Sequence, residues 1–175
     1  MMERSRIRNV EIKARSKSID GFRRLLVAKD ADYIGLDNQI DTYFQTGHGR
    51  LKLREGSIEN HLIYYVRKDR DSPKISDVVL YNTNDQQNLK AILVQALGVK
   101  ICVEKRREIY FIDHVKFHLD DVKGLGSFVE IEVIDLDRNL SLEKMHDTCT
   151  YYMSYLGIGP SDLLSRSYSD MLLEG

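Results

Sequence analysis

Between Ile7 and Arg15 apolar and polar residues alternate, with Val10, Ile12 and Ala14 set against Asn9, Glu11, Lys13 and Arg15. A period of two marks a strand with one buried face. The period then lengthens: Phe22, Leu25 and Leu26 recur at helical spacing behind Asp20, which is placed to cap a helix. Strand patterns return at Tyr33–Phe44, Arg50–Arg54, His61–Lys68 and Lys74–Tyr81, with Gly47, His48 and Gly49 forming a tight hairpin turn. Leu89, Ile92, Leu93, Ala96 and Leu97 define a second helix, from a cap at Asn84 to a stop at Gly98. Further strands follow at Ile101–Asp113, His114–Asp121 and Ser127–Leu136. Ser141 caps a third helix running to Leu156 and Gly157, and the tail from Ser161 to Leu173 reads as short helical turns. About eight strands and three helices predict an α+β fold with mostly antiparallel pairing.

Residues two apart on a strand share a face. Asn9, Glu11, Lys13 and Arg15 therefore point one way, as do Arg50, Lys52 and Arg54, opposite Leu51 and Leu53. Lys116, His118 and Asp120 stand opposite Phe117 and Leu119. Glu130 and Glu132 stand opposite Val129, Ile131 and Val133, and Lys105 and Arg107 share a face with Val103 and Ile109. The apolar faces can pack against helices. The charged faces either meet water, as in an ordinary antiparallel sheet, or meet one another inside a closed sheet. On alternation alone the solvated face is the better reading. A closed sheet would instead be a tunnel lined by Arg and Lys with a smaller set of carboxylates. That mixture suits a triphosphate: guanidinium and ammonium groups neutralise its oxygens, and paired carboxylates hold Mg²⁺ or Mn²⁺.

Composition narrows the classes. The 175 residues suffice for one domain with a full core. With 26 basic and 27 acidic residues the formal net charge is −1, so no global field draws the chain to nucleic acid or anionic lipid. Cys102 and Cys149 belong to no C-x-x-C or His/Cys cluster, which gives neither a zinc motif nor a disulfide framework. Apolar runs are too short to span a bilayer, and the first residues lack a signal-peptide stretch, so a cytoplasmic protein is the default expectation. No P-loop or G-x-G-x-x-G motif is present. His48 reads as an exposed turn residue. His61, His114, His118 and His146 have no evident partner, and of these only His118 shares a face with a candidate residue, Asp120.

The order of the motifs resembles the CYTH family, named for class IV adenylyl cyclase and thiamine triphosphatase. Its N-terminal E-x-E-x-K strand corresponds here to Asn9-Val10-Glu11-Ile12-Lys13, with Asn in place of the first Glu. Gln39–Phe44, Leu51–Glu55, Val103–Phe111, Phe117–Glu132 and Arg166–Leu172 also resemble the family, especially its cyclase branch, so the likeness runs along nearly the whole chain in order. It implies a single domain over 1–175, an antiparallel eight-stranded β-tunnel with a charged interior and helices outside. It implies metal-binding carboxylates at Glu11 and Glu130, with Glu132 assisting. Lys13, Arg54, Arg67, Lys105 and Arg107 match the basic residues that hold the triphosphate, with Arg50 and Lys52 as weaker members. Asp120 matches an acidic residue near the reacting groups, and Arg166 lies in the family's closing segment. The implied cofactor is Mg²⁺ or Mn²⁺, the implied partner a nucleotide or organic triphosphate with ATP foremost, and a homodimer is common in the family. Three functions share this fold: an adenylyl cyclase, a triphosphate hydrolase, and a binding module without turnover, the last motivated by Asn9.

Overall fold

A computed structural model describes residues 5–66, 74–83, 86–137 and 139–175. Among the described residues eight strands form: β1 (Ser5–Arg15), β2 (Asp32–Phe44), β3 (Arg50–Glu55), β4 (His61–Val66), β5 (Lys74–Asn82), β6 (Val99–Ile112), β7 (Val115–Val122) and β8 (Gly126–Asp135). They form one closed antiparallel barrel in the order β1-β5-β4-β3-β2-β6-β7-β8, with β8 pairing back to β1. The helices are α1 (Ile19–Ala28), α2 (Gln86–Leu97), α3 (Leu142–Tyr155) and α4 (Tyr168–Glu174). A closed α+β barrel is thus the architecture, and closure decides between the two readings of the charged faces.

The apolar faces of β1, β7 and β8 turn outward. Val10, Ile12, Ala14, Phe117, Leu119, Val129, Ile131 and Val133 form the main core with Leu26 of α1 and Met145 and Cys149 of α3. Each is essentially fully buried, and burying a side chain of this size contributes about 1.5–3 kcal/mol. A second cluster fills one end of the barrel from inside: Tyr43, Val103, Val122 and Phe128, closed by Tyr168 at the start of α4. This explains why Val103 shares a face with Lys105 and Arg107. The inner face of β6 changes character along its length, and its apolar part packs at the closed end. α2 differs from expectation, because its apolar positions bury no residue.

Two local signals differ in detail. Ser18, not Asp20, caps α1, because its extended backbone lets Oγ accept from Gly21 N at 3.1 Å. Asp20 lies in the first turn and pairs with Arg23. The expected cap at Asn84 lies outside the described residues. The β2–β3 hairpin turns at Gly49, whose φ of 66° suits a residue without Cβ.

Candidate functional site

The barrel's register builds the site. Lys13 pairs with Glu130, and Glu11 with Glu132, across β1 and β8. On the other side of β8, His118 pairs with Glu130 and Lys116 with Glu132. Arg107 faces Asp120 across β6 and β7, and Arg54 faces Asp41 across β2 and β3. Directly opposed residues have Cβ atoms about 4.5–5.5 Å apart, so inward charges meet in pairs. Together they line a cavity of about 360 Å³ within the barrel. Its charged wall includes Lys13, Lys52, Arg54, Lys105, Arg107 and Lys116, and its apolar wall Ile63, Val78, Leu80 and Ile134.

Two ion clusters organise the charged wall. In the first, Asp41 accepts from Arg54 Nε and Nη2 at 2.8 and 3.0 Å, Lys52 Nζ at 2.9 Å and Lys105 Nζ at 2.7 Å. Burial opposes its charge, yet Arg54, Lys105 and Lys52 outweigh burial and hold Asp41 well below the usual carboxylate range. Burial pushes Lys105 down to about 7 against the pull of Asp41, with Arg54, Arg107 and Lys52 adding repulsion. In the second cluster Arg107 grips Asp120 through Nε and Nη2 at 2.7 and 2.6 Å, and Nη2 also reaches Glu130 at 2.7 Å. Tyr168 donates its hydroxyl to Asp120 at 2.7 Å, and its ring lies 3.6 Å beneath Lys13 Nζ. Lys13 Nζ is 3.1 Å from Glu130.

A carboxylate that the sequence does not single out supports the wall from outside the cavity. Asp37 is fully buried and accepts from the backbone amides of Ser57, Ile58 and Glu59 at 2.6, 3.0 and 3.0 Å. This clamps the β3–β4 loop against the barrel. Gly56 is required there, since a Cβ would come within 2.7 Å of both Asp37 oxygens. The clamped loop delivers Glu59, which bonds Arg54 Nη1 at 2.8 Å, Gln39 Nε2 at 3.1 Å and Lys116 Nζ.

The carboxylates Glu11, Glu130 and Glu132 share the cavity, and Glu130, Glu132 and His118 bring ligand atoms within 4.8 Å of one another. Lys13 and Arg107 outweigh burial and hold Glu130 well below the usual range. Glu132 is pushed up to about 7 by burial and by the negative charge of Glu11 and Glu130, against the opposing pull of Lys116. Burial and the neighbouring Arg107 push His118 down to about 3, so its imidazole is neutral. The donor set fits a divalent cation on two observations. Lys116 alone does not offset burial and the repulsion of Glu11 and Glu130 on Glu132, and Asn9 Oδ1, buried on the same cavity, has no hydrogen-bond partner among the described residues.

Of the expected site residues, Lys13, Lys52, Arg54, Lys105, Arg107, Glu11, Glu130 and Glu132 come together on this cavity. Asp120 stands behind Arg107, fully buried, and acts through it. Arg50 pairs with Asp170 of α4 at 2.8 Å, at the closed end. Arg166 stands apart from the expected set. The tail runs antiparallel to β1, with Leu164 N donating to Lys13 O at 2.8 Å. It turns Ser167 and Tyr168 inward and leaves Arg166 exposed beside Glu174. Arg67 lies outside the described residues. Asp41, Glu59 and Tyr168 on the cavity, and Gln39 and Asp37 behind it, are residues that the sequence pattern leaves out of the site, while Lys116 stands on the charged face that alternation gives β7.

The model of the CYTH domain matches residues 8–168. The chain belongs to the CYTH family. An adenylate cyclase, CyaB, of Aeromonas hydrophila is 26% identical to this CYTH chain over 171 residues, covering 91% of the chain and 85% of the relative. The PH1012 protein of Pyrococcus horikoshii superposes with a TM-score of 0.81 at 22% identity, covering 93% of the chain and 98% of that structure. A Hippeastrum protein described by a dominant triphosphatase activity, HpAC1, superposes with a TM-score of 0.56 at 16% identity, covering 94% of each chain. At such identities the two structures speak for the shared barrel alone. No helix among the described residues is long and apolar enough to cross a membrane.

Proposed function

We propose that the tunnel binds an organic triphosphate, ATP foremost, together with Mg²⁺ or Mn²⁺, and that the chain is a class IV-like adenylyl cyclase. The observation that carries this reading is one cavity that sets Lys13, Lys52, Arg54, Lys105 and Arg107 beside the carboxylates Glu11, Glu130 and Glu132. Phosphoryl chemistry is mostly positioning and charge stabilisation. The apolar wall of Ile63, Val78, Leu80 and Ile134 supports a substrate with an organic end over bare tripolyphosphate. The 26% identity to the Aeromonas cyclase along 91% of the chain supports cyclisation over hydrolysis.

In this reading Arg54, Lys52 and Lys105 exchange Asp41 for phosphate oxygens, and Asp41 keeps them poised when no substrate is bound. Arg107, oriented by Asp120, and Lys13, oriented over Tyr168, neutralise charge on the departing pyrophosphate. A divalent cation held by Glu11, Glu130 and Glu132, with Asn9 near, supplies Lewis-acid polarisation of the phosphates when bound. The 3′-hydroxyl of ATP attacks the α-phosphorus and loses its proton; the bond to the bridging oxygen breaks, giving cyclic AMP and pyrophosphate. In the hydrolytic alternative water attacks the terminal phosphorus in the same tunnel and orthophosphate leaves.

Product chromatography tests the proposal. The protein is incubated with ATP, thiamine triphosphate or tripolyphosphate and either metal, with Glu130→Gln as control. Cyclic AMP and pyrophosphate, absent with the variant, are expected. Orthophosphate instead assigns the chain to the hydrolases, and no product from any mixture favours a binding module.

A further inference from the structure

His118 is 1% exposed and projects from β7 into the barrel beside the two β8 carboxylates. Its Nδ1 lies 3.1 Å from Glu130 Oε2 and 3.8 Å from Glu132 Oε1. Ligand atoms about 2.0–2.2 Å from a common ion, at tetrahedral or octahedral angles, sit roughly 3.0–3.6 Å from one another. The first distance falls in that range, the second lies just beyond it, and all three ligand atoms lie within 4.8 Å of one another. Its other nitrogen, Nε2, has no hydrogen-bond partner among the described residues, so the contact with Glu130 Oε2 holds the ring proton on Nδ1, and a cation between the carboxylates would take that proton's place and send it to Nε2. With the proton on Nε2, the Nδ1 lone pair faces two carboxylates, an arrangement that a cation between them satisfies. Arg107, the other group on Glu130 Oε2, stays anchored by Asp120.

We propose that His118 Nδ1 is a nitrogen ligand, which with Glu130 and Glu132 makes a mixed-donor site favouring a first-row transition ion over Mg²⁺. This deepens the reading that the tunnel holds a divalent cation and rests on it. Mg²⁺ demands near-ideal octahedral geometry and is bound through oxygen, whereas an imidazole nitrogen is a donor suited to the first-row transition ions. Asn9 acts in the same direction, because its side chain offers the cavity a neutral amide oxygen and no hard anionic donor.

The test is electron spin-echo envelope modulation on the whole protein loaded with Mn²⁺ alone, in the absence of nucleotide. Modulation from a directly bonded ¹⁴N is expected, and it disappears in His118→Gln. Equilibrium dialysis of the same two proteins should show Mn²⁺ affinity falling about tenfold or more in the variant, with Mg²⁺ affinity little changed. Mn²⁺ bound without nitrogen modulation overturns the proposal and leaves an all-oxygen site, with the triphosphate reading intact. Absence of Mn²⁺ binding overturns both this proposal and the metal in the proposed function. Should His118→Gln fail to fold, His61→Gln, which removes another imidazole lining the cavity, decides the assignment. Modulation retained there supports His118, and modulation lost there overturns it.

Discussion

Lys105 Nζ donates to Asp41 Oδ2 at 2.7 Å, at a carboxylate already taken by Arg54 and Lys52. Four ionised groups thus share one buried point with a single negative charge. Lys105 is the group that yields, at about 7 against an ordinary 10.5. Above pH 7 it is neutral in the free protein, so a triphosphate must bind together with a proton. Calorimetric affinity for tripolyphosphate is expected to fall as pH rises from 7 to 9, and Lys105→Arg should flatten the profile. In the same window the unfolded chain holds a proton that the native chain lacks, so this group makes stability rise with pH between about 7 and 10.5. Matched urea titrations at the two ends of the window check that sign.

Removing Asp41 should unmask the repulsion among Arg54, Lys52 and Lys105. Breaking a buried ion cluster from one side costs about 3–5 kcal/mol. Asp41→Asn is therefore expected to unfold at markedly lower denaturant. Tripolyphosphate should restore more stability to the variant than to the parent chain, because the ligand replaces the missing anion. Equal stabilisation of both proteins contradicts the role given to Asp41.

The Asp37 clamp carries its own prediction. In Asp37→Asn an amide NH₂ must face either the Ser57 and Ile58 amides or those of Glu59 and Gln39. A buried donor left without an acceptor costs about 1–3 kcal/mol. Gly56→Ala should loosen the same loop by steric contact with Asp37. Both variants are expected to weaken hydrogen-exchange protection at 57–59 while sparing the α3 side of the barrel.

Asn9→Glu places a negative charge opposite Ser76 and beside the carboxylates Glu11, Glu130 and Glu132. Divalent-cation affinity, read by dialysis without substrate, should rise, and Mg²⁺ should gain more than Mn²⁺. Unchanged affinity would place Asn9 outside the metal's reach.

How far the sequence carries depends on where alternation is clean. From Asn9 to Arg15, Arg50 to Arg54, Lys116 to Asp120 and Val129 to Val133 apolar and polar residues alternate without interruption, so the inward set Glu11, Lys13, Lys52, Arg54, Lys116, Asp120, Glu130 and Glu132 is legible from the residue pattern alone. β2 hides its inward residues, because Asn38 and Thr42 make its outer face polar too, and Asp37, Gln39 and Asp41 carry no contrast. Glu59 sits on a loop, where no period exists, and its place follows from three backbone amides that only a folded Asp37 can collect. Arg166 misleads because the tail joins β1 through a single bridge, so motif position does not fix which of its neighbours turns inward. Closure itself, which converts solvated faces into a tunnel, is a property of the β8–β1 pairing and of no single segment.

The central claim is that a triphosphate sits among the tunnel cations, and the most direct measurement is calorimetric titration of tripolyphosphate at pH 7 with Mn²⁺ present. One site per chain is predicted. Each of Arg54→Gln and Lys105→Gln should weaken it by about 1.5–3 kcal/mol, the worth of a hydrogen bond to a charged group, with Arg166→Gln unchanged. Binding that ignores Arg54 and Lys105, or that depends on Arg166, contradicts the account and moves the site out of the tunnel.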